Sequence, residues 1–439
     1  MTWLQRYRLS YYVQNSVWIL PVSGMVVAVV LVPCLHWIEQ RAGWQSDLDP
    51  GAALALFGTL AGSMLTFIVF LSSSLLLVVQ LASAQLSPRI IGVVFQDRMT
   101  RFALTLFAFT FTFTLAVLVR IHASVPAVTA YLAAWLCLLS VGVFLFLIDH
   151  VGKKLRPSGA LQAVARLGHA VIQSVYPRRL SGPADTAQGP GNALDGEPAG
   201  TVPSPTDGVL LAFDIEGLVA LAREAECVIE LVPEVGDFVA AESPLFRIFG
   251  GKGGLSASAL CQSVALGQER TMEQDPAFAF RIIVDVASKG LSPAINDPTT
   301  AVLAIDQIHH LLRSVGGRYL DEGLAHDRSG ALRLVYRTPD WEDFVYLAVT
   351  EIRQFGGTSI QVSRRLRAML ENLTEVLPPE RTALLRGELE LLRRSAGRSF
   401  PEPEDQALAG VSDLQGVGGK QAVNEERTEV RPAPTNDKH

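Results

Sequence analysis

The sequence predicts an α-helical membrane domain of four transmembrane helices, followed by an α+β soluble domain with a small β-subdomain and a helical subdomain. Three observations lead to this fold class. Of the 439 residues, 49% are hydrophobic and only 18% are charged. The apolar residues are concentrated in the first third of the chain, in four runs that are long enough to cross a bilayer. The rest of the chain has the mixed composition of a globular domain.

Changes of composition along the chain predict the domain boundaries. Within a transmembrane domain at 1–157, the expected spans lie at about 16–37, 51–87, 102–121 and 127–148. Two segments rich in Gly and Pro have few large apolar residues, which is typical of a flexible linker or a disordered tail. The remaining expected boundaries are a connecting helix at 158–176, a linker at 177–206, a β-rich subdomain at 207–256, a helical subdomain at 257–396 and a disordered tail at 397–439.

Basic residues cluster at three places outside the spans: before the first, between the second and third, and after the fourth. They are Arg6, Arg8, Arg89, Arg98, Arg101, Lys153, Lys154 and Arg156. The positive-inside rule then places both termini in the cytoplasm, which is an N-in/C-in topology. Apart from Arg120 at the end of the third span, the predicted spans contain no charged residue, and Glu39 is assigned to the loop after the first span. This disfavours a proton relay or a charge-coupled pump.

The second span, from Gly51 to about Pro88, carries a stripe of small and polar residues. At 100° per residue, these residues fall on one face of the helix: Gly58, Gly62, Thr66, Val69, Ser73, Gln80, Ser83 and Ser87. The first two form a small-xxx-small pair, which lets two helices approach closely. The stripe therefore predicts either a helix-packing seam or one wall of an aqueous pathway.

Local patterns predict several elements of the soluble domain. Asp214 is expected to begin a helix, and Asp275 and Asp297 each precede a proline, as N-caps do. Strands are expected at 208–213 and 227–232, a hairpin at 235–239 and 244–248, and later helices at about 341–355, up to 377 and up to 394. The hairpin sequence resembles the small β-domains of biotinyl and lipoyl carriers. It has no lysine at its tip, so no cofactor is expected.

The densest group of polar residues lies in the soluble domain and is called here the soluble motif. Its members are Glu269, Arg270, Thr271, Gln274, Asp275, Asp285, Ser292, Asn296, Asp297 and Thr300. Asp285 shares a helical stripe with Phe278 and Ile282, so we expect it to be partly buried and to need a donor. Arg281, Lys289 or Arg270 could supply that donor. Such pairs occur both in active sites and as structural ion pairs.

Three other patterns are expected to have no special function. Asp306, His309 and His310 have a spacing that suits metal ligands, but the apolar face of their helix is elsewhere, so we expect them to face solvent. The arginines at 364, 365 and 367 could meet anionic lipid or an acidic subunit surface, but such a run usually predicts a solvated helix face. The four cysteines lie far apart, which supports neither a disulfide framework nor a zinc site.

Whole-chain properties restrict the function further. The formal net charge of -6 gives no reason to expect nucleic acid as a partner, because its binding surfaces are strongly basic. The sequence contains no Ser-His-Asp arrangement, H-E-x-x-H motif or nucleophile elbow that we recognise, so it supports no catalytic assignment.

Two stretches resemble one family of bacterial membrane proteins, domain of unknown function 2254. They are FGTLAGSMLTFIVFLSSSLLLVVQLASAQLSPRIIGVVFQDRMTR, from Phe57, and GQERTMEQDPAFAFRIIVDVASKGLSPAINDPTTA, from Gly267. The chain departs from the family pattern at Gly290 and Ala294, where Ala and Gly are usual. The resemblance implies four spans, a cytosolic domain and a multi-pass location in the bacterial inner membrane, and it implies no established activity.

Together, these observations favour an oligomeric membrane channel or pore with a cytosolic regulatory domain. The alternative is a non-conducting membrane sensor or scaffold whose cytosolic domain binds a ligand or a protein. A membrane-tethered enzyme would require Arg270, Asp275 and Asp285 to converge in a cleft. The expected partners are the lipid bilayer, further copies of the chain and a small ligand or ion. We also expect the long second helix and the soluble motif to meet at the inner membrane face.

Overall fold

Four long apolar helices follow a short N-terminal helix. The structure is a computed structural model that describes residues 2–46, 48–90, 98–122, 125–154, 156–180, 194, 196–251, 254–320 and 323–419. The first helices are α1 (Trp3–Asn15), α2 (Ile19–Ala42), α3 (Pro50–Gln85), α4 (Arg98–Leu118) and α5 (Ala127–Lys154). The last four are long and apolar enough to cross a membrane, as predicted. The helix α1 was not predicted.

The helix α4 lies at the centre of this bundle. It packs against α2, α3 and α5, and its Phe107 and Phe113 side chains are fully buried. Its threonines are satisfied locally: Thr114 donates to the Thr110 carbonyl at 2.7 Å, and the Thr110 hydroxyl lies 3.2 Å from that of Ser140 on α5. The hydroxyls of α4 therefore serve helix packing inside one chain.

One buried charged residue lies inside the first spanning helix. Because α2 continues to Ala42, Glu39 belongs to the helix and is only 2% exposed, so its assignment to a loop was wrong. Its carboxylate accepts hydrogen bonds from the Thr129 backbone N–H at 2.8 Å and from the Thr129 hydroxyl at 3.0 Å. Glu39 thereby caps the N-terminus of α5, where unpaired N–H groups favour a negative charge.

The helices of the soluble domain share one large apolar core. They are α6 (Pro157–Val175), α9 (Pro276–Gly290), α10 (Pro298–Gly316), α11 (Trp341–Phe355), α12 (Ile360–Val376) and α13 (Pro379–Ser399). Asp275 and Asp297 cap α9 and α10, as predicted, by accepting from the N–H groups of Phe278 and Thr300 at 2.9 and 3.1 Å. Gly168 allows α6 to approach α9 closely, since a Cβ there would lie 2.6 Å from that of Ala279.

Two small sheets stand beside these helices. The five-stranded sheet has the order β3 (Gly200–Pro203), β7 (Pro244–Gly250), β5 (Cys227–Leu231), β10 (Leu332–Tyr336) and β9 (Leu324–His326). The three-stranded sheet has the order β6 (Phe238–Val239), β4 (Gly208–Phe213) and β8 (Val264–Gly267). The other elements are the small antiparallel pair β1 (Gln45–Ser46) and β2 (Val125–Pro126) and the helices α7 (Ile215–Glu224) and α8 (Ala257–Cys261).

The sheets differ from the expected layout in three respects. The predicted hairpin is wrong, because β6 pairs with β4 while β7 pairs with β5 and β3 in the other sheet. The strand β3 lies in the segment expected to be a linker. Finally, β8, β9 and β10 come from the segment expected to be helical, and β10 runs parallel to β5. Non-local pairing of this kind leaves little trace in local sequence patterns.

The segment after α13 is ordered up to residue 419, which corrects the prediction of a disordered tail from 397. It contains α14 (Pro403–Ala409) and then follows α12. Arg364 on α12 is fully buried and donates to the carbonyls of Val411, Gly418 and Gly419 at 3.1, 3.1 and 2.9 Å. The prediction that Arg364 faces solvent was therefore wrong as well. Residues 420–439 of the predicted tail lie outside the described part.

Candidate functional site at the end of the long helix

The far end of α3 enters the soluble domain. Leu86 follows the helix, is 5% exposed and belongs to the same apolar core as α6, α9 and α10. Ser87 is also buried, at 4% exposure. The transmembrane helix and the soluble domain are thus joined by a packed junction, in addition to the chain connection through α6.

Two side chains of α9 bind this end of α3. The Lys289 ammonium donates to the Ser83 carbonyl at 2.7 Å, where it satisfies one of the carbonyls left unpaired at a helix C-terminus. Asp285 forms an ion pair with Arg89, which lies in the single 3₁₀ turn of Pro88–Ile90. Because residues 285 and 289 are four apart on a helix, both side chains leave α9 on the same face.

Asp285 is part of a longer series of charges, which we call the ion-pair chain: Arg89, Asp285, Arg281 and Glu351. Arg281 donates to Asp285 through Nε at 2.7 Å and holds both carboxylate oxygens of Glu351 on α11, at 2.6 and 2.7 Å. The hydrogen bonds that Arg281 donates to Glu351 lower the pKa of Glu351 and raise the pKa of Arg281. The ion-pair chain links Arg89, just after the end of α3, through α9 to Glu351 on α11.

The partners of Asp285 were predicted only in part. Arg281 is a donor, as one of the three alternatives proposed, while Lys289 bonds to α3 and Arg270 to Asp275. Arg89 was not predicted as a partner of Asp285; it entered only the prediction of which side of the membrane the loops face. Two features could have suggested the pair: Arg89 directly follows the long helix, and α9 carries a half-buried acid that needs a donor.

A second group of soluble-motif residues holds the subdomains together. Asp275 is 2% exposed and pairs with Arg270, whose guanidinium carbon lies 5.6 Å from the centre of the Phe278 ring. The side chain of Gln274 bridges the backbone of Phe213 on β4, accepting from its N–H at 3.0 Å and donating to its carbonyl at 3.3 Å. These contacts join the start of α9 to the three-stranded sheet.

The electrostatics of this second group are those of a buried structural pair. Burial raises the pKa of Asp275, and Arg270 opposes that effect through a hydrogen bond and its charge. Asp275 and Asp285 are ten residues apart, about 15 Å along a helix, and they belong to different ion pairs. Arg270, Asp275 and Asp285 therefore do not converge in one cleft, and the enzyme hypothesis has no support from their geometry.

The last members of the soluble motif form the turn between α9 and α10. The Asn296 N–H donates to the Ser292 carbonyl at 2.8 Å, and the Asp297 N–H donates to the Gly290 carbonyl at 2.7 Å. Thr300 donates its hydroxyl to Asp297 at 2.5 Å. The residue with positive φ is Asn296, at 50°, so Ala294 needs no glycine-like conformation. These residues have the turn and cap roles expected from their types.

The unpredicted helix α1 also contacts the soluble motif. It packs against β8, and its Tyr7 lies beside Thr271 and Glu273. Burial raises the pKa of Tyr7 and the Glu273 carboxylate raises it further, whereas Thr271 lowers it. The ring of Tyr7 stacks between those of Trp3 and Tyr11, with centroid distances of 5.3 and 6.2 Å. The N-terminus and the soluble domain therefore lie on the same side of the four-helix bundle.

The stripe of α3 lies on the outer surface of the bundle. The opposite face supplies the buried residues of the helix, including Phe57, Met64 and Leu71. Gly58, Gly62, Thr66, Ser73 and Gln80 are exposed, while Ser83 is half-buried at the junction. A Cβ added at Gly62 would meet no atom within 4 Å. The stripe is therefore not a packing seam within one chain.

The candidate metal ligands are used in helix packing. Asp306 pairs with Arg365 at 2.6 Å, and His309 Nε2 lies 2.8 Å from the side-chain oxygen of Asn372. The expectation of a solvent-facing side chain was wrong for His309, whereas Asp306 keeps 38% of its side chain exposed and His310 is exposed. Among the described residues, no group of three or more His, Cys, Asp or Glu side chains is arranged to hold a metal ion.

Comparison with known proteins agrees with these features. The family described as Predicted membrane protein (DUF2254) matches residues 14–372. Uncharacterized protein Mb1321c of Mycobacterium bovis is 26% identical over 420 residues, which cover 90% of this chain and 79% of the relative, and Uncharacterized protein Rv1290c of Mycobacterium tuberculosis matches equally well. No solved structure matches the chain. Since the family match includes both the four apolar helices and the soluble motif, this protein belongs to the family of predicted membrane proteins named domain of unknown function 2254.

Proposed function

We propose that this protein is one subunit of a homo-oligomeric membrane channel, in which the stripe of α3 lines the pathway and the soluble domain controls it. The observation that carries the proposal is the placement of the stripe. It faces away from the other helices of its own chain, on the helix whose far end is bound by α9. A symmetric assembly that brings several copies of this face together would form a polar axis.

The polar character of the stripe favours an aqueous surface over lipid. Thr66 donates its hydroxyl to the Gly62 carbonyl at 3.0 Å, so it can tolerate lipid, but Gln80 has an amide that the backbone of a helix does not satisfy. A ring of such groups in an oligomer would be hydrated or bonded between subunits. With both termini in the cytoplasm of a bacterium, Gln80 and Ser83 lie at the cytosolic end.

The ion-pair chain provides the link between the soluble domain and the pathway. A displacement of α9 relative to α11 acts on Asp285 and Arg281, and through Arg89 and Lys289 it acts on the end of α3. A ligand that binds the soluble domain in one of two states can shift the channel only through such a contact. The junction is therefore the proposed site of control.

The test is conductance of the purified protein in planar bilayers. We expect ion or solute conductance that is altered severalfold by Thr66→Leu or Ser73→Leu, because each adds bulk to the stripe. Gly142→Leu is the control, since it adds more bulk than either change, on an exposed face of α5 where no atom lies within 4 Å of an added Cβ. Absence of conductance at all salts, voltages and pH values would overturn the proposal.

The second candidate is a non-conducting sensor or scaffold, in which the same junction transmits a signal and the stripe is only an interface between subunits. The direct ion pair between Arg89 and Asp285 favours signal transfer in either case. If this candidate is correct, a ligand or protein co-purifies with the wild type and is lost in Asp285→Ala, while the oligomer persists. A silent bilayer together with that loss would decide for it.

A further inference from the structure

The helix α1 has two unlike faces. One carries Trp3, Tyr7 and Tyr11, which stack on one another and face the soluble domain. The other exposes Leu9 and Tyr12, at 54% and 53%, together with Val13 at 41%. At 100° per residue, Arg6 and Arg8 flank this second face on its two sides, and both are exposed.

The position of α1 brings this second face to the membrane surface. Only three residues separate Asn15 from Ile19, where the first spanning helix begins. One of them is Trp18, which is 56% exposed and meets the ring of Tyr12 edge-on at 6.5 Å. Tryptophan and tyrosine are enriched where hydrocarbon meets headgroups, so the apolar face of α1 continues the lipid-facing surface of α2.

The charges of α1 define the partner. Its sequence, WLQRYRLSYYVQN, contains two arginines and no acidic residue. In the described part of the chain neither arginine takes part in an ion pair or side-chain hydrogen bond. An apolar ridge flanked by guanidinium groups fits a leaflet whose lipids carry negatively charged phosphates, because Arg binds phosphate through directed hydrogen bonds.

We propose that α1 lies in the membrane interface and binds anionic phospholipid headgroups through Arg6 and Arg8, with Leu9, Tyr12, Val13 and Trp18 inserted among the lipids. Its opposite face stays in contact with the soluble motif. A single helix thus contacts the lipid on one side and Thr271 and Glu273 on the other. The inference does not depend on conduction, since it concerns a different surface from the stripe of α3.

The experiment uses the full chain in nanodiscs that contain either pure phosphatidylcholine or a mixture with phosphatidylglycerol. Hydrogen–deuterium exchange is measured at the amides of α1, and the preference for phosphatidylglycerol is measured by competition between spin-labelled lipids. We expect slower exchange in α1 when the anionic lipid is present. In Arg6→Gln/Arg8→Gln, the lipid preference should fall by about fivefold per arginine.

Two controls make the result specific. Arg223→Gln/Arg328→Gln removes the same charge from exposed positions of the soluble domain and should leave the preference unchanged. Exchange in α9 reports whether each variant keeps its fold. The proposal is overturned if the arginine variant keeps its lipid preference, or if α1 exchanges equally in both lipids. Protection that follows the protein-to-lipid ratio instead of the lipid charge would also overturn it and assign the face to a second copy of the chain.

Discussion

The polar side chains of α3 and those of α9 are used in opposite ways. Along α3, Thr59, Ser63 and Thr66 donate to carbonyls of their own helix at 2.9–3.0 Å, and they do not connect elements. Along α9, Asp275 and Asp285 bind side chains from other segments of the chain. The fold of one subunit therefore depends on the junction and not on the stripe.

The two stretches that resemble the family thus have different roles in the subunit. Residues that hold elements together should lower the stability of the subunit when they are changed. Substitutions of residues that face outward and bond to their own helix should leave the subunit folded. They should instead alter the contacts of its outer surface with lipid, water or other subunits. Substitutions in the two regions should therefore differ in their effect on the free energy of unfolding.

The largest effect is expected for Asp275→Ala. The change removes the N-cap of α9 and leaves Arg270 without its carboxylate in a largely buried site. We expect a loss of about 3 kcal/mol in the free energy of unfolding, measured by urea titration of the purified protein. Asp275→Asn keeps a capping oxygen and should lose less. Equal losses in the two variants would show that the capping oxygen contributes nothing, and an Asp275→Asn protein as stable as the wild type would contradict a role for the ion pair.

A smaller effect is expected for Arg281→Met at the centre of the ion-pair chain. Asp285 keeps Arg89, but Glu351 loses the partner that holds both of its oxygens. Since Arg281 is 24% exposed, water can partly replace it, and we expect a loss of about 2 kcal/mol. Protection of the amides near Ser83 should also fall in hydrogen exchange. Unchanged exchange near Ser83 would show that the ion-pair chain does not stabilise the end of α3.

The parts of the fold that sequence predicted are those with local causes. The four spans follow from runs of apolar residues, and the start of α9 from Asp275 before Pro276. The contact between the long helix and the soluble motif was expected, but the side chains that form it were not predicted. The pairing of Arg89 with Asp285 joins residues 196 positions apart, and no local pattern encodes which cation reaches which acid.

The missed elements have equally physical reasons. The helix α1 was overlooked because its apolar residues lie on both faces, one against β8 and the other outward. This removes the usual helical periodicity. The strands β9 and β10 are short: β10 depends on pairing with β5, far away in sequence, and β9 depends on pairing with β10. Arg364 was assigned to a solvated face since only the chain beyond α14 supplies its acceptors.

A third prediction concerns pH. Burial raises the pKa of Glu234 to about 7, with Arg337 opposing the shift, so the folded state keeps a proton that the unfolded state releases near 4.5. The contribution of this protonation to the free energy of unfolding is then fully present below about pH 4.5. It declines as the pH rises to about 7, by about 1 kcal/mol after allowance for partial exposure. Glu234→Gln should remove this decline. Urea titrations at pH 5 and pH 8 measure it, and an equal decline in the variant would refute the assignment.

The smallest effect on subunit stability is expected for Gly62→Leu in the stripe. No atom lies within 4 Å of a Cβ at this position, and leucine has the higher helix propensity, so the free energy of unfolding should not fall. If copies of α3 approach one another across Gly58 and Gly62, the added side chain should shift the oligomer towards monomer, which mass photometry in detergent can measure. Gly142→Leu on α5 is the size-matched control and should keep the wild-type assembly. A stable, fully assembled Gly62→Leu protein would place the stripe against lipid or water and exclude close helix packing there.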